Sequence, residues 1–294
     1  WIVPVQAGYQ SLWQIRVANR GFVDALKERG YGPDKVEIER ENAQGDQSNL
    51  KTIVSRFKAE KPKLICAIAT PAAQAAANEI KDIPIVGTAI TDYTSAKLVQ
   101  NDERPGGNVT GVSDFAAMDA QMELAAKLIP QAKHVGLIYC SSEVNSEVQA
   151  NQMKDYCKKH DLAVEERTVN NVNDIQQVAE SLIGKVDYIY VPTDNTLASS
   201  IPTLMKITDA NKIPVIVGAD IMAKDGALAA LSVDYYRLGK QTGELAADIL
   251  DGKVKPETSP IQHQKDYTIV INKQDAEILG LTIPEEIAKK ANMV

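Results

Sequence analysis

One ordering of segments occurs twice in this 294-residue chain. In the first half, an apolar stretch at 63–69 runs into the alanine-rich segment Ile68–Ile80, and the strand pattern Ile83–Gly87 follows. In the second half, Val186–Val191 runs into a helix pattern after Thr193, and Ile213–Val217 follows. Upstream, the helix pattern Gly21–Arg29, the strand pattern Val36–Glu39 and the helix pattern Ser48–Phe57 lead into the first copy. His134–Tyr139, Ser146–Lys159, Val164–Arg167 and Asn173–Ile183 lead into the second with strand, helix, strand and helix patterns. The offset is 128 residues from Val36 to Val164, 123 from Ile68 to Val191 and 130 from Pro84 to Pro214. A stable offset over several elements marks an internal repeat. Alternating strands and helices mark α/β layers with parallel sheets. The expected fold is therefore two doubly wound parallel-sheet lobes, each presenting the C-terminal ends of its strands to a ligand crevice.

Turn-rich connections define the lobes. Asn101–Gly111 leads into the second lobe, Ala227–Asp234 leads back, and Lys255–Pro260 precedes the last strand pattern, Thr268–Ile271. The expected division is 1–114 plus 235–262 for one lobe and 115–234 plus 263–294 for the other. Three crossings between lobes predict a hinge that opens and closes, and the helix pattern Leu238–Leu250 is expected on the first lobe.

A formal charge of −7 with both signs interspersed argues against nucleic acid as a partner. No apolar run approaches the roughly 20 residues that cross a bilayer. The chain opens inside a strand-like segment with no signal peptide, which fits a cytoplasmic protein or the mature form of a secreted one. Cys66, Cys140 and Cys157 lack metal-ligand spacing and read as core thiols, so cysteine usage leaves the compartment open. His134, His160 and His263 fall outside the strand-to-helix turns. Nucleophile elbow, phosphate loop, dinucleotide fingerprint and zinc-helix motifs are all missing. Asn108–Thr110 matches a glycosylation acceptor, a triplet common by chance. The expectation is a binding protein with no catalytic residues, no metal and no cofactor.

The turns after the strands hold the candidate ligand contacts. Thr70 and Pro71 predict a helix capped by Thr70, and Ala73 at the capping-box position leaves the first amides free. With the amides of Ala72 and Ala73, Thr70 forms a candidate anion site. Thr88, Asp92 and Tyr93 follow the next strand, although Asp92 also suits a turn. In the second lobe the candidates are Ser141, Ser142 and Asn145, then Asp194, Asn195 and Thr196, then Asp220. Ser142 or Asn145 could equally cap the helix that follows. Asp194 suits either an N-cap or an ion pair with a ligand ammonium group. Anion-binding amides in one lobe and carboxylates in the other suit a zwitterion such as an amino acid, and also a polar sugar.

Asn42–Ser48, Ile68–Gln74, Gly106–Asp114, Ser141–Ser146, Val191–Ser199 and Val270–Lys273 resemble the ABC-transporter substrate-binding family that includes TrpX-type tryptophan-binding lipoproteins. The resemblance runs from about Gly21 to the C-terminus. It implies a type I periplasmic-binding-protein fold, an extracytoplasmic protein, periplasmic or lipid-anchored, acting as a monomer, and delivery of an aromatic amino acid to a membrane permease. It also implies that the helix-start amides and hydroxyls take the carboxylate while Asp194 takes the ammonium group. The segment 6–20 departs from the family pattern: Tyr9, Trp13 and Arg16 stand where a short His-Pro turn is usual, and Tyr93 stands where proline is usual. These three N-terminal residues join the candidates as either ligand contacts or packing groups. Pro4 falls in what should be a central strand. The alternatives are the sensing core of a transcription regulator, a sugar- or nucleoside-binding protein of the same fold, and an enzyme using the cleft.

Overall fold

A computed structural model describes residues 2–6 and 13–294 of the chain. Tyr9 and the side chain of Trp13 lie outside what it describes. The elements run β1 (Ile2–Gln6), α1 (Trp13–Glu28), β2 (Glu41–Asn42), α2 (Gln47–Glu60), β3 (Leu64–Ile68), α3 (Thr70–Glu79), β4 (Ile85–Ile90) and β5 (Val109–Ser113). Next come α4 (Met118–Leu128), β6 (His134–Cys140), α5 (Val144–Lys159), β7 (Ala163–Val169), α6 (Ile175–Glu180), β8 (Tyr188–Val191), α7 (Asn195–Ala198) and α8 (Ile201–Ala210). The chain ends with β9 (Val215–Val217), α9 (Asp220–Lys224), β10 (Ala229–Ser232), α10 (Tyr235–Leu250), β11 (Gln262–His263), β12 (Thr268–Ile271), α11 (Lys273–Leu279), α12 (Glu285–Ala288) and β13 (Asn292–Met293).

Two compact units result, Trp1–Phe115 with Asp234–Lys265, and Ala116–Val233 with Asp266–Val294. The first holds a six-stranded sheet in the order β11-β5-β4-β3-β1-β2, parallel throughout. The second holds a seven-stranded sheet, β13-β12-β10-β9-β8-β6-β7, with β12 antiparallel to β10. Strand β3 is buried at all five positions, as a strand covered on both faces must be. Phe57, Ile65, Ala73, Ile85 and Tyr93 pack in the first core, and Met122, Leu137, Met153, Tyr190 and Ile216 in the second. Cys66, Cys140 and Cys157 are all buried free thiols.

Proline does occupy an interior strand. Pro4 pairs with Cys66 inside β1. The amide of Ile2 donates to Glu37 on the β2 side, and Glu39 donates back to Ile2. Alternate residues of a parallel strand bond to the same side, so Pro4 removes the next donor in that row. This accounts for a correction: the strand expected at Val36–Glu39 is only a bridge at Ile38, and regular pairing resumes at Glu41.

Helix α10, far along the chain, lies directly on α1. A Cβ on Gly239 would stand 1.9 Å from the Ala18 carbonyl oxygen, and one on Gly21 would stand 2.2 Å from the Tyr236 oxygen. The two helices touch backbone to backbone, and Lys240 pairs with Glu28 at the rim. Close by, the Tyr235 hydroxyl donates to the buried Asp114 at 3.0 Å. The Gln264 amide grips both the N–H and the C=O of Asp234. The segments at the three unit boundaries are thus pinned to one another within the first unit.

Gly239→Ala is expected to lower stability by about 3 kcal/mol, since backbone cannot yield to an added methyl group. Urea denaturation measures it, and an unchanged midpoint would refute the close contact. Asp114 gives a pH prediction. Burial pushes its carboxyl up to about 6 from 3.8, against the opposing bond from Tyr235. The folded chain then keeps a proton that the unfolded chain has released. This contribution is whole below the unfolded value and is lost as pH rises through the folded one. Relative to Asp114→Asn, the native protein should lose about 2 kcal/mol between pH 4 and pH 7, read by denaturation at both pH values.

Candidate functional site

In the first unit the site is the hand-over from β3 to α3. Thr70 does not cap the helix. It is the first helical residue, Pro71 the second, and the cap is Ala69 with no side-chain hydrogen bond. Ala69 sits at φ 77°, ψ 152°, a region reserved almost entirely for glycine. Its amide is held by the carbonyl of Thr88, which fixes the twist. The amides of Thr70 and Ala72 have no acceptor among the described residues, while Ala73 bonds back to Ala69. Ala72 and Ala73 are fully buried, as is Thr88, whose hydroxyl has no hydrogen-bond partner among the described residues. Thr88 lies opposite Ile68 in the ladder, next to this helix start. Among the described residues the corner therefore offers donors, a helix dipole and no charged side chain, the chemistry of an anion site.

Three other first-unit candidates fall elsewhere. Tyr93 is a core residue: it fills the space over Gly87 and Gly111 and donates to the Val112 carbonyl at 3.2 Å. The same two glycines provide the room that a smaller residue would leave empty. Asp92 accepts from the Ser95 amide and builds a turn. Arg16 is exposed on α1.

In the second unit the site is a buried polar network that joins the starts of α5 and α7. Neither Ser142 nor Asn145 caps α5; the cap position is Glu143, whose side chain accepts from none of the backbone amides of its own helix. Glu143 instead crosses to α7. One oxygen accepts from the Thr196 amide at 2.9 Å and hydroxyl at 2.8 Å. The other accepts from the Asn195 amide at 3.0 Å, the Asn195 side chain at 2.7 Å and the Asn145 side chain at 3.2 Å. Asn195 and Thr196 thus spend their donors inside the protein.

Asp194 takes the capping role of the two that the sequence left open. One oxygen accepts from the Leu197 amide at 2.8 Å and the other from the Cys140 amide at 2.7 Å, and the residue is 2% exposed. Burial and the neighbouring Glu143 charge raise its pKa, and the two amide bonds oppose them. Asp194 offers its field to this region rather than a free oxygen.

Around this pair, Ser141 donates to Asn170 at 3.1 Å and Ser142 lies 3.2 Å from the Cys140 sulfur, both on the exposed turn. Asp220 opens α9 and pairs with Lys224. Glu143 and Gln149 are the residues that sequence reasoning missed. Gln149 is fully buried and accepts from the Thr193 amide at 2.6 Å. Asn145 and Gln149, four apart on one helix face, were the available signal. Among the described residues no cluster suits a metal ion, and no helix is long and apolar enough to cross a membrane.

The family model for ABC transporter substrate-binding proteins matches residues 11–294. A tyrosine-binding protein of Clostridioides difficile is 42% identical over 265 residues, covering 90% of this chain and 76% of that protein. An ABC domain from Streptococcus pneumoniae, solved in complex with L-Trp, is 39% identical with a TM-score of 0.95, covering 100% of this chain and 98% of that one. A ligand-free, open substrate-binding protein with adhesive properties from Clostridium difficile is also 39% identical, at the same coverage, with a TM-score of 0.77. A periplasmic binding protein/LacI-type regulator from Alkaliphilus metalliredigens, 14% identical with a TM-score of 0.63, shares the fold.

The strain at Ala69 predicts that Ala69→Gly raises stability by about 1 kcal/mol. Relief of about 1–3 kcal/mol in the folded chain outweighs the added entropy of the unfolded one. Thermal and urea denaturation measure it, and a loss of stability would refute the strained corner.

Proposed function

The chain belongs to the ABC transporter substrate-binding family, and we propose that it captures an aromatic amino acid, tyrosine or tryptophan, outside the cytoplasm for a membrane permease. The observation that carries this reading is the β3–α3 corner. Amides at Thr70 and Ala72 and a buried Thr88 hydroxyl, all without a partner among the described residues, and small alanine side chains suit the close approach of a carboxylate. A buried unpaired donor costs about 1–3 kcal/mol, and an arriving carboxylate recovers it. The tyrosine and L-Trp named for two relatives supply the ligand class. Ser141, Ser142 and Asn145 are proposed as ligand contacts of the second unit. Asp194, Asn195 and Thr196 act behind them through the buried network. The absence of a nucleophile–base pair from the motifs agrees with binding rather than turnover.

Titration calorimetry with L-tyrosine, L-tryptophan and L-phenylalanine tests the reading, alongside a sugar and nucleoside panel. An aromatic amino acid at 100 times its dissociation constant should stabilise the protein by about 2.7 kcal/mol. Thr88→Val should leave folding stability unchanged or higher while weakening that ligand about tenfold, the loss of one hydrogen bond to a charged group. Stabilisation by a sugar or nucleoside alone would overturn the aromatic amino-acid assignment.

A further inference from the structure

The second unit buries two carboxylates, Glu143 and Asp194, where ligand chemistry is expected, and neither offers a free oxygen. Glu143 is 6% exposed and accepts five hydrogen bonds. Asp194 accepts two backbone amides. The amides of Asn195 and Thr196 at the start of α7 are consumed by Glu143 and that of Leu197 by Asp194, so an incoming anion meets two buried carboxyl groups there and none of these donors.

Asn145 shows what this arrangement presents. Its side-chain amide donates to the Thr193 carbonyl at 2.8 Å, to Glu143 at 3.2 Å and to the Ser146 hydroxyl at 3.3 Å. The first two are acceptors only, so the amide is held against turning over: a flip would set Oδ1 against a carbonyl and a carboxylate. Asn145 is 4% exposed, and its Oδ1 has no hydrogen-bond partner among the described residues. An acceptor left without a donor in a buried place costs about 1–3 kcal/mol, so the position favours a group that brings an N–H. Gln149, one turn further along α5, holds the Thr193 turn from the other side and keeps its carbonyl in place for Asn145.

We propose that Asn145 Oδ1 accepts a hydrogen bond from the ammonium group of the ligand, and that Glu143 is the positioning residue that orients Asn145 and excludes anionic groups from its surroundings. This assignment rests on the amino-acid reading above and sharpens it. The second unit selects for a cationic amine through a neutral acceptor backed by buried charge. No direct carboxylate–ammonium pair is involved.

The test compares L-tryptophan with indole-3-propionate, which keeps the ring and carboxylate and lacks the amine. In the wild-type protein L-tryptophan should bind at least 100-fold more tightly. In Asn145→Ala, L-tryptophan should weaken at least tenfold while indole-3-propionate keeps its affinity within twofold, so the ratio collapses. Glu143→Gln, whose amide turns N–H groups toward the Asn195 and Thr196 donors, should lower the same ratio at least tenfold. The ratio is taken within one folded variant, so a general loss of stability does not move it. Equal weakening of both ligands in either variant, or no change, would overturn the assignment and leave the aromatic amino-acid reading standing. Failure of the wild-type protein to bind any aromatic amino acid would overturn both.

Discussion

Helices α1 and α10 meet through their backbones, and the first unit depends on that contact. More than 200 residues separate Gly21 from Gly239 in the chain, yet each lies against carbonyl groups of the other helix with no room for a methyl group. Packing of this kind tolerates little adjustment, because interiors are already close-packed. It brings the returning segment onto the parallel sheet and sets Tyr235 against Asp114 and Asp234 against Gln264. The β3–α3 corner stands on the same sheet, so its strained backbone is held by a scaffold that cannot easily relax.

The corner and the network of the second unit solve opposite electrostatic problems. At α3 the helix start is left open among the described residues: the cap residue has no polar side chain and the Thr70 and Ala72 amides are unspent. At α7 the helix start is closed, because Glu143 reaches over from α5 and takes its donors. One strand-to-helix turn therefore favours an anion, and its counterpart in the repeat repels one. A duplicated fold gains a polar preference by filling one copy of an equivalent position and leaving the other unfilled.

Several candidate residues shifted role for reasons of packing. Tyr93 looked like a cleft residue from its place after a strand, but two glycines opposite it create a core slot of its size. Asp194 looked available, but its position at the start of α7 puts two backbone amides within reach. Glu143 looked like part of a loop, because a carboxylate accepting from a helix 52 residues away leaves no local trace in the sequence.

The amino-acid sequence by itself determined the α/β class, the repeat with its offset near 123–130 residues, and the strand-to-helix turns where polar groups gather. These follow from local periodicity and from turn chemistry, which neighbouring residues carry. The tertiary structure alone decided that Ala69 is twisted, that Val36–Glu39 fails to pair beyond one bridge, and that Glu143 rather than a ligand satisfies α7. Each of these depends on a partner distant in sequence: the Thr88 carbonyl, the missing amide of Pro4 and the donors of Asn195 and Thr196. Hydrogen bonds between segments are settled only when the sheets bring those segments together.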